Sequence, residues 1–132
     1  MSDAAVQIVK RLYNAFAHRD ANAIRELFAP DIEWIQNEGF PNGGRHVGAD
    51  TVINDVFGKF RTEWSAWRVT TGEYLDAGDT VVVIGDYHGT HAATGRSVTA
   101  AFAHVYDVRD GRIARFRQYT DTVMLERAIR SA

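Results

Sequence analysis

The spacing of apolar residues changes near residue 64, and this change constrains the fold more than any other feature of the sequence. Before this point, apolar residues recur every three or four positions, as they do on one face of an amphipathic helix. After it, four long segments rich in Val, Thr, Tyr and Phe are separated by short turns, which is typical of strands. A group of helices followed by a run of strands predicts an α+β fold in which helices cover one face of a sheet.

Three helices and one short strand are predicted before residue 64, and a last short helix is predicted after residue 121. The first helix starts behind Ser2 and Asp3, which can cap it, and Asp20 can cap the second. Pro30 closes the second helix because proline cannot continue the helical hydrogen-bond ladder. The segment DIEWIQ is predicted as a strand, and NEGFPNGGRHVG is predicted as a loop because of its glycines and its proline.

The hairpin formed by the last two strands decides which of their side chains share a face of the sheet. We predict a three-residue loop with Gly111 in the left-handed conformation, so that Val108 pairs with Arg112. His104 then lies opposite Phe116. A two-residue loop would instead place an arginine beside the histidine, and we prefer the first register because it collects the aromatic residues on one side.

Because strand side chains alternate, the predicted register gives these two strands an aromatic face and a flatter face of smaller and charged residues. The aromatic face holds Ala100, Phe102, His104, Tyr106, Ala114, Phe116, Gln118 and Thr120. The flatter face holds Thr99, Ala101, Ala103, Val105, Ile113, Arg115, Arg117 and Tyr119. We expect the aromatic face to line a pocket or core beneath the helices, and the flatter face to contact a partner.

The composition excludes several classes of function. The chain has no cysteine, which excludes disulfides, thiolate metal sites and cysteine nucleophiles. Its net charge of −2 offers no basic surface for nucleic acid or for an anionic membrane. No apolar run approaches membrane-spanning length and the N-terminus lacks a signal-peptide core, so a cytoplasmic location is expected. The length and the absence of a linker predict a single domain over residues 1–132.

Two histidines in the segment HGTH, His88 and His91, have a spacing that resembles a metal site. In a strand, however, residues three apart point to opposite faces of the sheet, and no further ligands stand nearby in the sequence. We therefore predict no metal site, and His88 by itself remains a candidate for the pocket wall.

Three segments of the sequence carry a resemblance to a known family. The helix phrase RLYNAFAHRDANAIRELFAPDIEW, together with FAHVYDVRDGRI and FRQYTDT, resembles the SnoaL-like polyketide cyclase family. That family belongs to the nuclear transport factor two-like superfamily, which also contains the ketosteroid isomerases. The resemblance spans nearly the whole chain and implies a curved, mixed or antiparallel sheet wrapped around a long N-terminal helix. Such a cystatin-like cone encloses an apolar cavity and often forms a homodimer through its sheet.

The resemblance also implies roles for two residues. An aspartate near the last strand is the general acid/base of SnoaL-like cyclases, and Asp121 in QYTD is the matching residue. His104 in FAHVY is similar to a histidine on the preceding strand of many members. Ala103 stands where steroid isomerases carry an acid, and Ile35 and Gln36 stand where they carry another. The steroid isomerase mechanism is therefore not expected.

We predict a cofactor-independent enzyme that transfers a proton on a small apolar carbonyl compound, as an isomerase, a cyclase or a dehydratase. Asp121 is the predicted acid/base, and His104 orients it or donates a hydrogen bond to the developing enolate oxygen. The predicted substrate contacts are Tyr13, Phe16, Trp34, His88, Phe102, Phe116 and Gln118. Pockets of this kind typically measure ~300–1,000 Å³.

Two other interpretations stay open. Asp121 stands at the start of a helix, where an aspartate caps backbone N–H groups without any catalytic role. The chain would then be a non-catalytic binding protein for a small hydrophobic ligand. A third interpretation is a protein–protein interaction module that works through the flatter face of the sheet.

Overall fold

Helices gather in the first half of the chain and long strands in the second, as the apolar spacing predicts. The computed structural model describes residues 4–130, so the predicted caps Ser2 and Asp3 lie outside the described residues. The helices are α1 (Ala4–Ala17), α2 (Ala21–Leu27), α3 (Ala49–Thr51), a π-helical segment (Val52–Phe57), α4 (Gly58–Glu63) and α5 (Thr122–Ile129). Asp20 caps α2 as predicted, because its side chain accepts the N–H of Ala23 at 3.1 Å.

Six strands form one mixed sheet that curves around α1 without closing into a barrel. The strands are β1 (Phe28–Gln36), β2 (Gly44–Val47), β3 (Trp64–Ala77), β4 (Thr80–His91), β5 (Ser97–Arg109) and β6 (Arg112–Thr120). Their order is β2-β1-β6-β5-β4-β3, with β1 and β6 parallel and every other neighbouring pair antiparallel. Helix α1 packs against β3, β4 and β6, which makes the α+β cone that the resemblance implies. Within residues 4–130, no helix is long and apolar enough to cross a membrane.

Two details of the first half differ from the prediction. Part of the predicted loop forms the short strand β2, which pairs antiparallel with the end of β1. Helix α2 ends at Leu27, and Pro30 lies within β1 rather than closing the helix. The pairing of β1 with β6 is irregular between Phe28 and Glu33, and this gap accommodates a residue that has no backbone N–H to donate.

The hairpin between β5 and β6 has a shorter turn than predicted. Arg109 pairs with Arg112 across a two-residue loop, Asp110-Gly111. The two loop residues have φ angles of 52° and 77°, and two positive values are typical of a type I′ turn. The predicted three-residue loop is therefore wrong, because Asp-Gly supplies the backbone conformation that a tight hairpin requires.

A β-bulge beside this turn nevertheless preserves the predicted aromatic face. Asp107 pairs with Arg115, whereas the next residue of β5 pairs with Ile113, so β6 contains one extra residue at this point. The bulge adds a second one-residue shift to the one caused by the shorter turn, and the two shifts together return each side chain to its predicted face. His104 consequently pairs with Gln118 on the inner face. The predicted pairing partner of the histidine was wrong by two positions, but its face was right.

The same bulge moves one predicted surface residue into the core. Ile113 was assigned to the flatter outer face, yet its side chain is 0% exposed. It lies between the turn and the bulge, where it pairs with the buried Val108. The alternation of the strand restarts after the bulge, and this places Ile113 on the inner face.

Candidate functional site

The concave side of the sheet and helix α1 enclose a narrow cavity with mostly aromatic walls. Its volume is about 50 Å³, which is room for a water molecule or a small chemical group. The apolar part of the wall includes Phe16, Trp34, Phe57, Phe60, Trp67 and Phe116. The polar groups, which cluster at one end, are Tyr13, Gln36, Tyr87, His104, Tyr106 and Gln118.

A wider cleft of about 460 Å³ adjoins this cavity. The two share the side chains of Tyr13, Phe16, Phe57, Phe60, Trp67 and Val69. The inner cavity is smaller than the range predicted from the sequence because aromatic rings fill most of the cone, whereas the outer cleft falls within that range. Three arginines, Arg19, Arg61 and Arg68, line the outer cleft, and no carboxylate side chain is among its described lining residues.

His104 is held between two tyrosine hydroxyls at the polar end of the cavity. Its Nδ1 lies 2.7 Å from the hydroxyl oxygen of Tyr13, and its Nε2 lies 2.5 Å from the hydroxyl oxygen of Tyr87. Tyr106 donates its O–H to the Tyr13 oxygen at 2.9 Å, and the Nε2 of Gln118 donates to the Tyr87 oxygen at 2.7 Å. These five side chains form one connected hydrogen-bonded cluster.

Four elements bring this cluster together. Helix α1 supplies Tyr13, and β4 supplies Tyr87. His104 and Tyr106 are two residues apart on β5 and therefore point to the same face of the sheet. Gln118 comes from β6 and is the direct cross-strand partner of His104. The backbone N–H of the residue after β1 donates to the Gln118 Oε1 at 3.1 Å, which fixes the orientation of that amide.

The three phenols and the imidazole of this cluster hold one more hydrogen than the hydrogen bonds among them use. Three phenols and one neutral imidazole supply four O–H or N–H hydrogens, but only three hydrogen bonds join them. Because Tyr106 donates to Tyr13, the surplus hydrogen belongs to Tyr87 when the Nε2 of His104 is protonated. It belongs to Tyr13 when Nδ1 is protonated. In either case one phenol O–H remains for an acceptor atom of a ligand.

Burial keeps every member of this cluster uncharged at neutral pH. It lowers the pKa of His104 well below the ordinary value of an imidazole, because a buried imidazolium lacks the solvation of water. For the same reason burial raises the pKa of Tyr13, Tyr87 and Tyr106 above the ordinary value of a phenol. The polar end of the cavity is therefore a neutral set of hydrogen-bond donors and acceptors.

The structure brings six of the nine predicted site residues to the cavity wall. These six are Tyr13, Phe16, Trp34, His104, Phe116 and Gln118. Phe102 is buried behind the wall, where its ring stacks on the His104 ring with a centroid distance of 3.7 Å and an interplanar angle of 11°. Phe102 thus holds the imidazole in place rather than contacting the cavity.

The structure places His88 away from the cavity, contrary to the expectation. Alternation along β4 turns Tyr87 inward, so the next residue faces outward. The His88 ring contacts the hydroxyls of Thr70 and Thr99 at 3.0 Å and 3.4 Å on that outer side. A role for His88 in the pocket is thus corrected to a role in cross-strand contacts.

Asp121 also lies outside the cavity, contrary to the expectation. It is exposed and stands at the N-cap position of α5, but its carboxylate makes no capping hydrogen bond. Its backbone carbonyl accepts the N–H of Met124 at 3.2 Å. Among the hydrogen bonds of the described residues, none joins Asp121 to His104 or Gln118. The reason is that side chains alternate along β6: Gln118 points inward, and Asp121, three residues later, falls on the opposite side.

Tyr87 is the member of the hydrogen-bonded cluster, and the candidate functional residue, that the sequence interpretation missed. It contributes a hydroxyl to the polar cluster, and its ring is 4% exposed. The signal was present in the alternation of β4, where Val81, Val83, Gly85, Tyr87 and Gly89 are all buried. The sequence interpretation assigned faces only to the last two strands. It did not extend the inner face to β4.

Comparisons with known proteins agree with this fold. The sequence profile of the SnoaL-like domain matches residues 9–116. An NTF2-like protein from Burkholderia thailandensis E264 is 37% identical, with 98% of this chain and 99% of that chain covered and a TM-score of 0.92. An NTF2-like protein from Burkholderia pseudomallei K96243 is 31% identical, with 99% and 100% covered and a TM-score of 0.89.

A third solved structure is that of TerC, which was co-crystallised with polyporic acid. TerC is 29% identical to this chain, with 96% of this chain and 98% of that chain covered and a TM-score of 0.87. No match is found among curated proteins. The profile match covers most of the residues of the chain, and the relatives align over nearly its full length. The chain therefore belongs to the SnoaL-like domain family.

Proposed function

We propose that this chain is a small-molecule enzyme that transfers a proton on a small, largely apolar carbonyl compound. The observation that carries the proposal is the surplus phenol hydrogen at the polar end of an aromatic cavity. A carbonyl oxygen that enters the inner cavity is an acceptor suited to this hydrogen, and the aromatic side chains shared with the outer cleft of about 460 Å³ suit a flat apolar body. TerC, which was co-crystallised with polyporic acid, supports a small organic ligand.

The cluster polarises the carbonyl group of the bound compound. A hydrogen bond from Tyr87 or Tyr13 stabilises the negative charge that develops on the carbonyl oxygen when a hydrogen on the adjacent carbon is lost. Such a donor is most effective in a site without bulk water, and removing one donor typically lowers kcat ~10²–10³-fold. Isomerisation, aldol-type cyclisation and dehydration all use a carbonyl activated in this way. Residues of the chain supply the chemistry in this proposal, without a cofactor.

His104 is the proton carrier in this proposal, in place of Asp121. A neutral imidazole has one lone pair that can take a proton and one N–H that can give one. Phe102 stacks on the ring and limits its rotation. The catalytic role of Asp121 remains a prediction from the family resemblance, because its carboxylate is exposed and lies away from the cluster.

A second candidate function is a non-catalytic binding protein for a small hydrophobic ligand. The observation that favours it is the character of the cavity wall, which has no carboxylate side chain among its described residues. A ligand would then be held by aromatic contacts and one hydrogen bond, without proton transfer. The two functions use the same cavity and differ only in whether the ligand reacts.

We also propose a homodimer that forms through the outer face of the sheet. Tyr119 is 52% exposed there, and Ala101 is exposed beside it. The Nε atoms of Arg115 and Arg117 are buried without a hydrogen-bond partner in the described chain. A second copy packed on this face would cover the apolar atoms and offer acceptors to the arginines.

The enzyme and the binding protein are separated by measuring turnover and affinity on the same probe. The probe is 2-tetralone, an apolar bicyclic ketone with exchangeable hydrogens next to its carbonyl. Its hydrogen exchange in deuterated water is followed by NMR, and its affinity by quenching of tryptophan fluorescence. Tyr87→Phe should lower the exchange rate ~10²-fold. It should weaken binding by less than about tenfold, because only one neutral hydrogen bond is lost.

Tyr119→Phe is the matched control, because it removes the same hydroxyl from the outer face of the sheet. It should leave exchange and affinity unchanged. Binding of the ketone without any accelerated exchange by the wild-type protein would leave the binding protein as the function. Neither binding nor exchange across a panel of enolisable ketones would contradict both candidates.

A further inference from the structure

We infer that Tyr13, His104 and Tyr87 form a neutral proton relay, in which the imidazole passes a proton between the two phenols while the ligand passes one in the opposite direction. The relay deepens the proposed function, since it specifies a charge-neutral tautomerisation and the class of compound that can undergo it. The relay itself is a property of the protein and can be observed without a substrate.

The two ends of the relay are equivalent in their hydrogen bonding. The Tyr13 oxygen contacts one imidazole nitrogen and accepts a hydrogen bond from Tyr106. The Tyr87 oxygen contacts the other nitrogen and accepts a hydrogen bond from Gln118. Each phenol thus has one external donor and one imidazole nitrogen. The two tautomers of His104 therefore make the same number of hydrogen bonds and differ only in which phenol carries the surplus hydrogen.

One complete transfer through the relay moves four hydrogens and creates no charge on the protein. Starting with Nε2 protonated, the carbonyl oxygen of the substrate takes the hydrogen of Tyr87, and the Tyr87 oxygen takes the hydrogen of Nε2. Nδ1 then takes the hydrogen of Tyr13, and the Tyr13 oxygen takes an acidic hydrogen from the substrate. Four bonds to hydrogen break and four form, and nothing is oxidised or reduced. The substrate has gained a hydrogen at one atom and lost one at another.

This balance defines the substrate class as an enolisable carbonyl compound whose enol is conjugated. Its acidic hydrogen lies on a hydroxyl or on a carbon between a carbonyl group and a second carbonyl or an aromatic ring, as in 2-tetralone, because a neutral phenol oxygen is a weak base. After one complete transfer the surplus hydrogen is on Tyr13. The cavity of about 50 Å³ has room for a water molecule, which can return that hydrogen to Tyr87.

The surroundings of the relay favour a neutral path over an ionic one. The titratable side chains packed around His104 are the phenols Tyr13 from α1, Tyr87 from β4 and Tyr106 from β5, and Tyr74 from β3 packs against Tyr13. Burial disfavours both an imidazolium and a phenolate here. Concerted transfer avoids both charged species, so its rate should not change between about pH 6 and pH 9.

Nitrogen-15 NMR of the imidazole tests the relay in the ligand-free protein. In a fixed tautomer, one ring nitrogen resonates as a protonated nitrogen and the other as an unprotonated one. In the ligand-free protein a cavity water takes the place of the substrate, because it can accept the surplus hydrogen of one phenol and give a hydrogen to the other. Rapid exchange through the relay then moves both signals to intermediate positions, and this is the result we expect for His104. The signals are assigned by their loss in His104→Gln. Two separate signals without exchange would overturn the relay, whatever the activity of the protein.

The variant His104→Gln provides the second readout. A glutamine amide can accept a hydrogen bond from one phenol and donate one to the other, but it cannot exchange these roles. It should lower the exchange of 2-tetralone ~10²-fold or more, whereas Tyr106→Phe, which leaves the relay intact, should lower it by less than about tenfold. If the glutamine variant does not fold, Tyr13→Phe interrupts the relay at Nδ1 and should give the same loss.

The outcomes separate the relay from the proposed function. Unchanged exchange in a folded His104→Gln or Tyr13→Phe protein would overturn the relay, even if the wild-type protein is an active enzyme. Intermediate nitrogen signals, together with no accelerated exchange of any ketone by the wild-type protein, would support the relay and contradict the proposed function. Intermediate signals together with the predicted losses would support both.

Discussion

At the scale of single residues, the proposed chemistry centres on His104 because its two ring nitrogens contact the hydroxyls of Tyr13 and Tyr87. The sequence places it on the inner face with Gln118, since both follow from the alternation of two adjacent strands. The sequence does not reveal that Tyr87 and Tyr13 lie at its two nitrogens. Those contacts depend on how β4 and α1 close over the sheet, and this is decided by the packing of side chains that are far apart in the chain.

Acidification should destabilise the fold through His104. Burial lowers the pKa of this imidazole in the folded state, so below about pH 6.5 the unfolded chain binds a proton that the folded chain does not. The free energy of unfolding should therefore fall as the pH falls, by up to about 1.4 kcal/mol per pH unit from this residue. Urea unfolding between about pH 5 and pH 7 measures the slope.

The control for this prediction is a variant that cannot bind the proton. His104→Gln should reduce the slope by about one proton relative to the wild-type protein. An unchanged slope in His104→Gln would mean that this imidazole binds a proton equally in the folded and the unfolded states, and it would contradict the prediction.

At the scale of elements, the sequence predicts which strands exist but does not determine how they pair. The four long strands and the final helix follow from apolar spacing and turn residues. The register of the last hairpin does not, because the turn at Asp110-Gly111 and the bulge after Asp107 each shift the pairing by one residue. Only the two shifts together keep His104 on the inner face. A bulge has no sequence signal as strong as that of a turn.

The close packing of β4 around Gly85 predicts that a larger residue there lowers the free energy of unfolding. A Cβ atom added there would collide with the carbonyl oxygen of Thr70 and lie 2.6 Å from the Cζ of Phe102, whose ring stacks on His104. Gly85→Ala should therefore lower the free energy of unfolding by at least ~1–3 kcal/mol, the usual cost of overpacking. Urea unfolding gives this value directly.

Gly58 is the matched glycine for this measurement. It has helical backbone angles, and an added Cβ would meet only the carbonyl oxygen of Ile53, at 3.8 Å. Gly58→Ala should raise the free energy of unfolding by ~0.5–1 kcal/mol, because alanine favours a helix more than glycine does. Equal effects of the two substitutions would contradict the close packing described for Gly85.

At the scale of the whole molecule, the two faces of the sheet have different roles in the proposals. The concave face packs on α1 and holds the cavity, while the outer face carries exposed apolar atoms and two incompletely bonded arginines. The sequence separates these faces well because strand alternation is a local property. The sequence assigns Ile113 to the outer face, but the bulge turns this residue inward. It also misplaces Asp121, which lies three residues after Gln118 and therefore falls on the opposite side.

The proposed homodimer gives a direct prediction for sedimentation. At micromolar concentration the wild-type protein should sediment with twice the chain mass. Ala103→Arg should give a monomer, because it adds a third positive charge to the face of the sheet that carries Arg115 and Arg117, on the proposed interface. Gln7→Arg adds the same charge on the exposed side of α1 and should remain a dimer. A wild-type monomer, or a dimer of the Ala103 variant, would contradict this interface.

In our proposal the buried tyrosine–histidine cluster, and not the exposed carboxylate of Asp121, performs the chemistry. The most direct test compares the rate of 2-tetralone hydrogen exchange in Tyr87→Phe and in Asp121→Asn, two substitutions that each change one polar group. Tyr87→Phe should lose ~10²-fold or more of the rate, and Asp121→Asn should keep the wild-type rate. Loss of the rate in Asp121→Asn, with full activity in Tyr87→Phe, would contradict the claim.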